Sequence, residues 1–272
     1  IMCGMSAAFS ALFGTPLAAA IFSMEVVSVG IMHYSALVPC VIASLTAHGI
    51  ASACGIAPEI FPIASIPAFT PKNALIIGIF AVLCALVSIL FCTTLHNAER
   101  LYKRFFKNPY VRALAGGLIV IGLTMLAGNQ TYNGTGMNII TGCMEGKTVF
   151  PLAFLLKMIF TAATLGAGYK GGEIVPTLFI GSTFGTFFAS AFGCSIPLCA
   201  AVGMGAVFCG VTNSPITSLM ICFELFGFDG MPYFLIAIAL SYMLSGYYGL
   251  YKDQTIVYSK YKAKYVNRHT RF

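Results

Sequence analysis

From Ala74 to Leu95 the chain carries no Asp, Glu, Lys or Arg. A charge-free run of that length reaches the roughly 20 residues that a helix needs to cross the hydrocarbon core of a bilayer. In lipid every backbone polar group must be satisfied by the segment itself or by its neighbours, so such a run narrows the fold to a membrane-spanning class. The composition agrees: of 272 residues 58% are hydrophobic and 8% are charged, against about 25% charged in an ordinary soluble domain. Mean hydropathy is +0.89. These values exclude disordered, collagen-like and small disulfide-rich secreted chains, and they argue against a soluble enzyme.

Net charge is +7, and ten of the 15 basic residues fall in two short stretches, Arg100–Arg112 and Lys260–Arg271. On a soluble chain the surplus would raise the question of nucleic acid. Here the clusters read as topology anchors, and no nucleic-acid partner is expected. The positive-inside rule puts the 99–112 loop and the C-terminus in the cytoplasm and the 57–72 loop outside, with 73–98 as the crossing between them. There is no Trp, so the interfacial belt falls to tyrosines near segment ends, among them Tyr102, Tyr110, Tyr247, Tyr248 and Tyr251.

The ten cysteines are scattered singly through apolar runs, without a CxxC pair; they read as small packing residues. His33, His48, His96 and His269 are isolated, so no metal and no cofactor are expected. Asn129-Gln-Thr131 and Asn133-Gly-Thr135 match glycosylation sequons but are accounted for as turn residues. The chain starts at Ile1 inside an apolar run, shows no signal peptide and reads as a piece of a longer one.

Apolar segments are expected at 1–13, 16–31, 35–56, 73–98, 110–127, 135–143, 150–166, 174–192, 197–211, 215–227 and 230–249, with a more polar helix from about 256. Only 35–56, 73–98 and 230–249 are long enough to cross. The rest are short and cut by Gly, Pro or Asn, as at Gly14-Thr15-Pro16 and Asn213-Ser214-Pro215. Short broken helices survive at membrane depth only where their ends are buried in protein or line a cavity. Their N-termini offer unpaired N–H groups and the positive end of the helix dipole, which suits an anion. The pattern implies the core of a transporter or channel.

An internal repeat supports that reading. At an offset of 199, Gly4, Met5, Ala7, Phe9, Pro16 and Glu25 match Gly203, Met204, Ala206, Phe208, Pro215 and Glu224 without a gap. Repeats of this kind place a substrate site at their interface, on discontinuous helices. The first repeat is expected to end within residues 1–30 and the second to span about 150–260, all in a single transmembrane domain, 1–272. The partner of the Gly171-Gly172 helix start would lie upstream of Ile1.

The most informative stretch runs from Gly166 through Gly171-Gly172-Glu173-Ile174-Val175-Pro176 to Gly181 and Gly185. Gly166, Gly168 and Gly171 make a formal G-x-G-x-x-G, but a dinucleotide site needs a preceding strand and a βαβ unit; a membrane segment precedes it here. The physical content is a close backbone approach at two glycines, then a helix whose first N–H groups face an occupant. Gly181 and Gly185 allow tight packing of that helix. A kinked packing helix is the alternative.

Gly-Gly-Glu-Ile-Val-Pro with the following Leu-Phe-Ile-Gly, the Ala7–Glu25 stretch and its Pro215–Glu224 copy resemble the CLC chloride channels and anion/proton antiporters. The resemblance covers essentially the whole chain, as the later two-thirds of the family's membrane domain without a cytoplasmic regulatory domain. It implies an all-α membrane protein, a CLC-type inverted-repeat bundle, working as a homodimer with one anion pathway per subunit. It also implies an anion held by backbone N–H groups at Gly172, Glu173 and Ile174 and by the hydroxyl of Tyr258, taken as the start of the last helix. A Ser and a gating Glu from earlier family motifs would lie upstream of Ile1.

Two departures point within the family. The residue after the second Gly is usually apolar, but here it is Glu173. Chloride/proton antiporters of the family carry two adjacent acids near the end of the first Pro helix, the second relaying protons from inside; here the pair is Glu25-Val26. Both features are similar to the bacterial fluoride/proton antiporter branch, which would export fluoride across the inner membrane. A carboxyl beside an anion favours its protonated form, and a protonated acid can donate a strong hydrogen bond to fluoride. Glu173 is therefore the candidate for proton coupling, against the alternative of a first-turn acid on the helix dipole. Lys157, inside an apolar segment, is either structurally paired or an electrostatic attractor for anions. Lys170 is either an attractor or a solvated loop residue, and Glu25 and Glu224 are read as structural or dimer-edge residues. A chloride/proton antiporter or chloride channel of the same fold is the first alternative. An intramembrane enzyme is a remote one, because neither G-x-S-x-G nor H-E-x-x-H occurs.

Overall fold

The computed structural model describes residues 1–58, 60–63, 66–262 and 264–270. Eleven α-helices lie among them: α1 (Met2–Phe13), α2 (Pro16–Glu25), α3 (Leu37–Ala53), α4 (Pro71–Phe105), α5 (Pro109–Ala127), α6 (Met137–Met144), α7 (Ala153–Gly166), α8 (Ile174–Phe192), α9 (Ile196–Thr212), α10 (Pro215–Phe226) and α11 (Met231–Leu244). A 3-10 turn at Tyr34–Ala36 leads into α3. Proline opens many of these helices, in the first turn where its missing N–H costs nothing. Thr70 and Asn108 cap α4 and α5 by accepting the N–H groups of Asn73 (3.3 Å) and Tyr110 (2.9 Å).

Helix lengths depart from the expectation at several places. Four stretches are long and apolar enough to cross a membrane: Tyr34–Ala53, Pro71–Phe105, Pro109–Ala127 and Ile174–Phe192. The 230–249 segment is not among them, because α11 has only 14 residues; Gly246, at φ +61°, turns the chain soon afterwards. Conversely α4 has 35 residues and carries Lys103 and Arg104 in its last turn, where cations suit the helix dipole.

Among the described residues no helix begins near 256. Instead β2 (Thr255–Tyr258) pairs in parallel with β1 (Ser28–Val29) and antiparallel with β3 (Tyr265–His269). Thr255, Ile256 and Val257 are all β-branched, and Ile256 is fully buried while its neighbours are half-buried; that alternation fits a pleated edge better than a helix. The tail is also tied inward. Lys260 Nζ donates to Asn213 Oδ1 (2.5 Å), the Tyr242 carbonyl (3.0 Å) and Ser245 Oγ (3.2 Å), and the Arg268 guanidinium lies 3.7 Å from the Tyr247 ring centre. Arg271 lies outside the described residues.

Helix α9 is the axis of the core, with every residue from Leu198 to Thr212 buried. A helix apolar on all sides is stable only when surrounded. It crosses α8 in intimate contact: a Cβ on Gly181 would stand 2.5 Å from the Gly203 carbonyl oxygen, and one on Gly185 would stand 2.2 Å from that of Cys199. Phe80 of α4 stacks on Phe188 at 4.5 Å and closes the same layer. Helices α3 and α5 bury little and lie at the periphery, where lipid would cover them.

The two matched stretches share their backbone. Gly14 and Asn213, at the 199-residue offset, both cap their helices in the left-handed conformation (φ 70° and 60°). Thr15 and Ser214 follow with nearly the same angles (φ −114°, ψ 75° and φ −120°, ψ 78°). The matched glutamates cap each other's helix. Glu25, ending α2, accepts the Ile216 and Thr217 N–H groups at the start of α10 (3.0 and 2.8 Å). Glu224 in turn accepts Leu17 and Ala18 N–H at the start of α2 (3.0 and 2.8 Å). Equivalent residues exchanging equivalent bonds require the two helices to run antiparallel about a local two-fold, the geometry of an inverted repeat.

Candidate functional site

Helix α7 ends at Gly166, and the chain doubles back through Gly171-Gly172 to start α8. Glu173 is the N-cap residue of α8 (φ −98°, ψ −18°). Its carbonyl accepts the Thr177 N–H (3.2 Å) and the Thr177 hydroxyl (2.8 Å). Pro176 carries no N–H, so the donors exposed at this helix start are those of Glu173, Ile174 and Val175. A Cβ at Gly172 would meet nothing within 4 Å; this glycine opens onto space rather than fitting beneath a neighbour. Among the described residues the Glu173 carboxyl has no hydrogen-bond partner.

Two cavities meet at this helix start. One, about 510 Å³, is lined by Gly172, Glu173, Ile174 and Val175 against Phe22 and the side chains of α1. The other, about 750 Å³, is lined by Glu173 together with Val26, His96, Glu99, Lys252 and Asp253. Glu173 and Tyr251 line both. An anion at the mouth of α8 would meet backbone donors and the positive end of a 19-residue helix, an arrangement suited to binding negative charge. Glu173 stands beside that position and lines both cavities. Val26, the apolar neighbour of Glu25, lines the larger cavity.

Gly172, Glu173 and Ile174, consecutive in the chain, all line the smaller cavity. The structure does not bring Tyr258 to them. Tyr258 is 47% exposed, lies in β2 edge-on to Tyr265 at 5.9 Å, crowds Gly30 and lines neither cavity. The tyrosine at the site is Tyr251. The choice of Tyr258 followed from the expectation of a final helix at 256, whereas Tyr251 follows the turn after α11 directly. Nothing local in the sequence separates the two.

Lys157 also lies away from the site. It is 2% exposed, and its ammonium donates to the carbonyls of Tyr132 (3.1 Å) and Gly134 (2.5 Å) with the Phe179 ring 5.1 Å away. It ties the loop after α5 to the core, the structural alternative. Lys170 is exposed and lines neither cavity. Glu99, Lys252 and His96, which the sequence did not single out, line the larger one. Among the described residues no group of three or more His, Cys, Asp or Glu could hold a metal ion.

Residues 1–246 match the family model described as voltage gated chloride channel. A chloride/fluoride channel protein of Pseudomonas syringae pv. tomato is 33% identical over 96% of this chain. A voltage-gated ClC-type chloride channel, ClcB, of Salmonella typhimurium is 27% identical over 90% of it. The chain spans 59% and 61% of the lengths of these two relatives. A crystal structure of a CLC-type fluoride/proton antiporter superposes with a TM-score of 0.89 at 32% identity, covering 93% of this chain and 64% of that one.

Proposed function

This chain belongs to the CLC family of chloride channels and anion/proton antiporters, and on that premise we propose that it forms the pathway of a fluoride/proton antiporter that exports fluoride from a bacterial cytosol. The observation that carries the reading is the placement of Glu173: N-cap of α8, without a hydrogen-bond partner among the described residues, at the junction of both cavities. When the carboxyl is protonated it donates to fluoride held by the Glu173 and Ile174 N–H groups. When fluoride leaves, the proton is free to move into the larger cavity. Each ion favours the other because a bare carboxylate beside an anion is repelled by it, and the hydrogen bond between them is of the strong, charge-assisted kind. The loss of an inner relay acid at Val26 fits this route, since Glu173 itself reaches the larger cavity. The Tyr251 hydroxyl completes the anion's surroundings in place of Tyr258.

The protein sits in the inner membrane with its C-terminus cytoplasmic and works as a homodimer, each subunit with its own pathway. The apolar side chains of Leu17 and Ile216, repeat-equivalent and both exposed, fit a face covered by a second subunit. The reaction is transport, with no covalent step. Glu173→Gln tests the central claim in liposomes carrying the reconstituted protein. Fluoride flux should lose its proton coupling, or its preference over chloride, while wild type exchanges the two ions in fixed ratio. Unchanged flux and stoichiometry in the variant would remove Glu173 from the mechanism, and a wild type selective for chloride would return the chain to the chloride branch.

A further inference from the structure

The larger cavity is an unwelcoming entrance for an anion. Three carboxylates line it, Glu99, Asp253 and Glu173, and among the described residues its one Lys or Arg is Lys252. Lys252 sits on a short segment fixed at both ends. The Leu250 N–H donates to the Val211 carbonyl (2.9 Å), and the Gln254 side-chain amide donates to the carbonyls of Val26 (2.8 Å) and Thr212 (2.7 Å). Between these ties Tyr251, Lys252 and Asp253 line the cavity. The Lys252 ammonium reaches Glu99 on α4, a contact between residues 153 apart in sequence.

Glu99 holds two lysines: Lys252, and Lys103 one turn further along α4 at 2.6 Å. Releasing Lys252 therefore leaves Glu99 still paired. The Lys252 and Glu99 side chains are 44% and 28% exposed, and ion pairs in such partly solvated surroundings are weak. A lysine held loosely, by a carboxylate that has a second partner, can exchange that carboxylate for another anion. Tyr251 is its chain neighbour and lines both cavities, so an anion at Lys252 lies next to the residue that borders the α8 helix start.

We infer that Lys252 is the capture residue of the pathway: its ammonium exchanges the Glu99 carboxylate for an incoming small anion at the larger cavity and delivers it past Tyr251 to the start of α8. Glu99 is the positioning residue, which holds the ammonium over the cavity and competes with the substrate. The inference rests on the fluoride reading above.

The test is the initial rate of fluoride efflux from proteoliposomes against internal fluoride concentration. Lys252→Gln should raise the KM for fluoride about fivefold with little change in maximal rate, as expected when a charge that gathers an ion is removed. Lys252→Arg should restore it. Glu99→Gln should lower KM, because the competitor is gone. Lys103→Gln, which takes the second lysine from Glu99, should tighten the Glu99–Lys252 pair and raise KM, by less than Lys252→Gln does. A purely structural latch would give Lys252→Gln and Glu99→Gln the same phenotype, so shifts in the same direction, or no shift in either, overturn the inference. Wild type that couples fluoride to protons while these variants behave alike rejects the inference alone. Wild type that carries only chloride rejects the fluoride reading, and the same variants measured with chloride then decide on Lys252.

Discussion

At Glu25 the carboxylate accepts two backbone N–H groups and the Thr217 hydroxyl, at 2.6 Å for the last. Glu224, its repeat equivalent, accepts two N–H groups, one of them exposed. Both do the work that an N-cap side chain performs elsewhere, and Thr15 and Ser214 at those N-caps make no side-chain cap bond. Removing a charged acceptor from buried donors costs about 1–3 kcal/mol. Glu25→Ala should therefore lower the thermal midpoint in detergent more than Glu224→Ala, and Glu25→Gln should recover part of the loss. Equal midpoints for the two alanine variants would contradict the difference in partners. A second residue-scale expectation concerns the tyrosines. Tyr251→Phe should weaken fluoride binding, measured calorimetrically, whereas Tyr258→Phe should leave it unchanged, because only Tyr251 borders the helix start.

Among the elements, the α8–α9 crossing sets the position of the site, since it fixes α8 along its length. Carbonyl oxygens of α9 lie only 2.5 and 2.2 Å from where the Cβ atoms of Gly181 and Gly185 would be, so no larger residue fits unless the helices move apart. Gly185→Leu should destabilise by more than the roughly 1–3 kcal/mol of ordinary overpacking; loss of a monodisperse peak in size-exclusion chromatography would report it, and a normal peak with wild-type melting would refute it. Most helices could be read in the sequence because Pro, Gly and Asn mark their ends and because an apolar run between such marks has few alternatives in lipid. The ends of the chain's last third were less legible. Thr255-Ile256-Val257 is too short for periodicity to separate helix from strand, and its β-branched residues paired with Ser28–Val29 only because α2 delivers that segment alongside.

The whole molecule joins parts that the sequence lists far apart. The offset of 199 revealed two equivalent glutamates, yet their exchange of caps depends on the antiparallel packing of α2 and α10. The basic clusters were equally visible, but the chain folds Lys260 back into a polar junction with Asn213, so that it is no longer a free surface charge. Two of the membrane-spanning segments, 35–56 and 73–98, with the broken helices, the Gly-Gly-Glu helix start and the family, follow from the sequence alone, because hydropathy, proline and glycine act within a few residues of where they stand. Which tyrosine borders the site, that Lys157 binds loop carbonyls and that Glu99 meets Lys252 were decided only by the tertiary structure. Those contacts join residues as much as 153 positions apart, and the packing of whole helices, which no local pattern encodes, determines which of them come within reach.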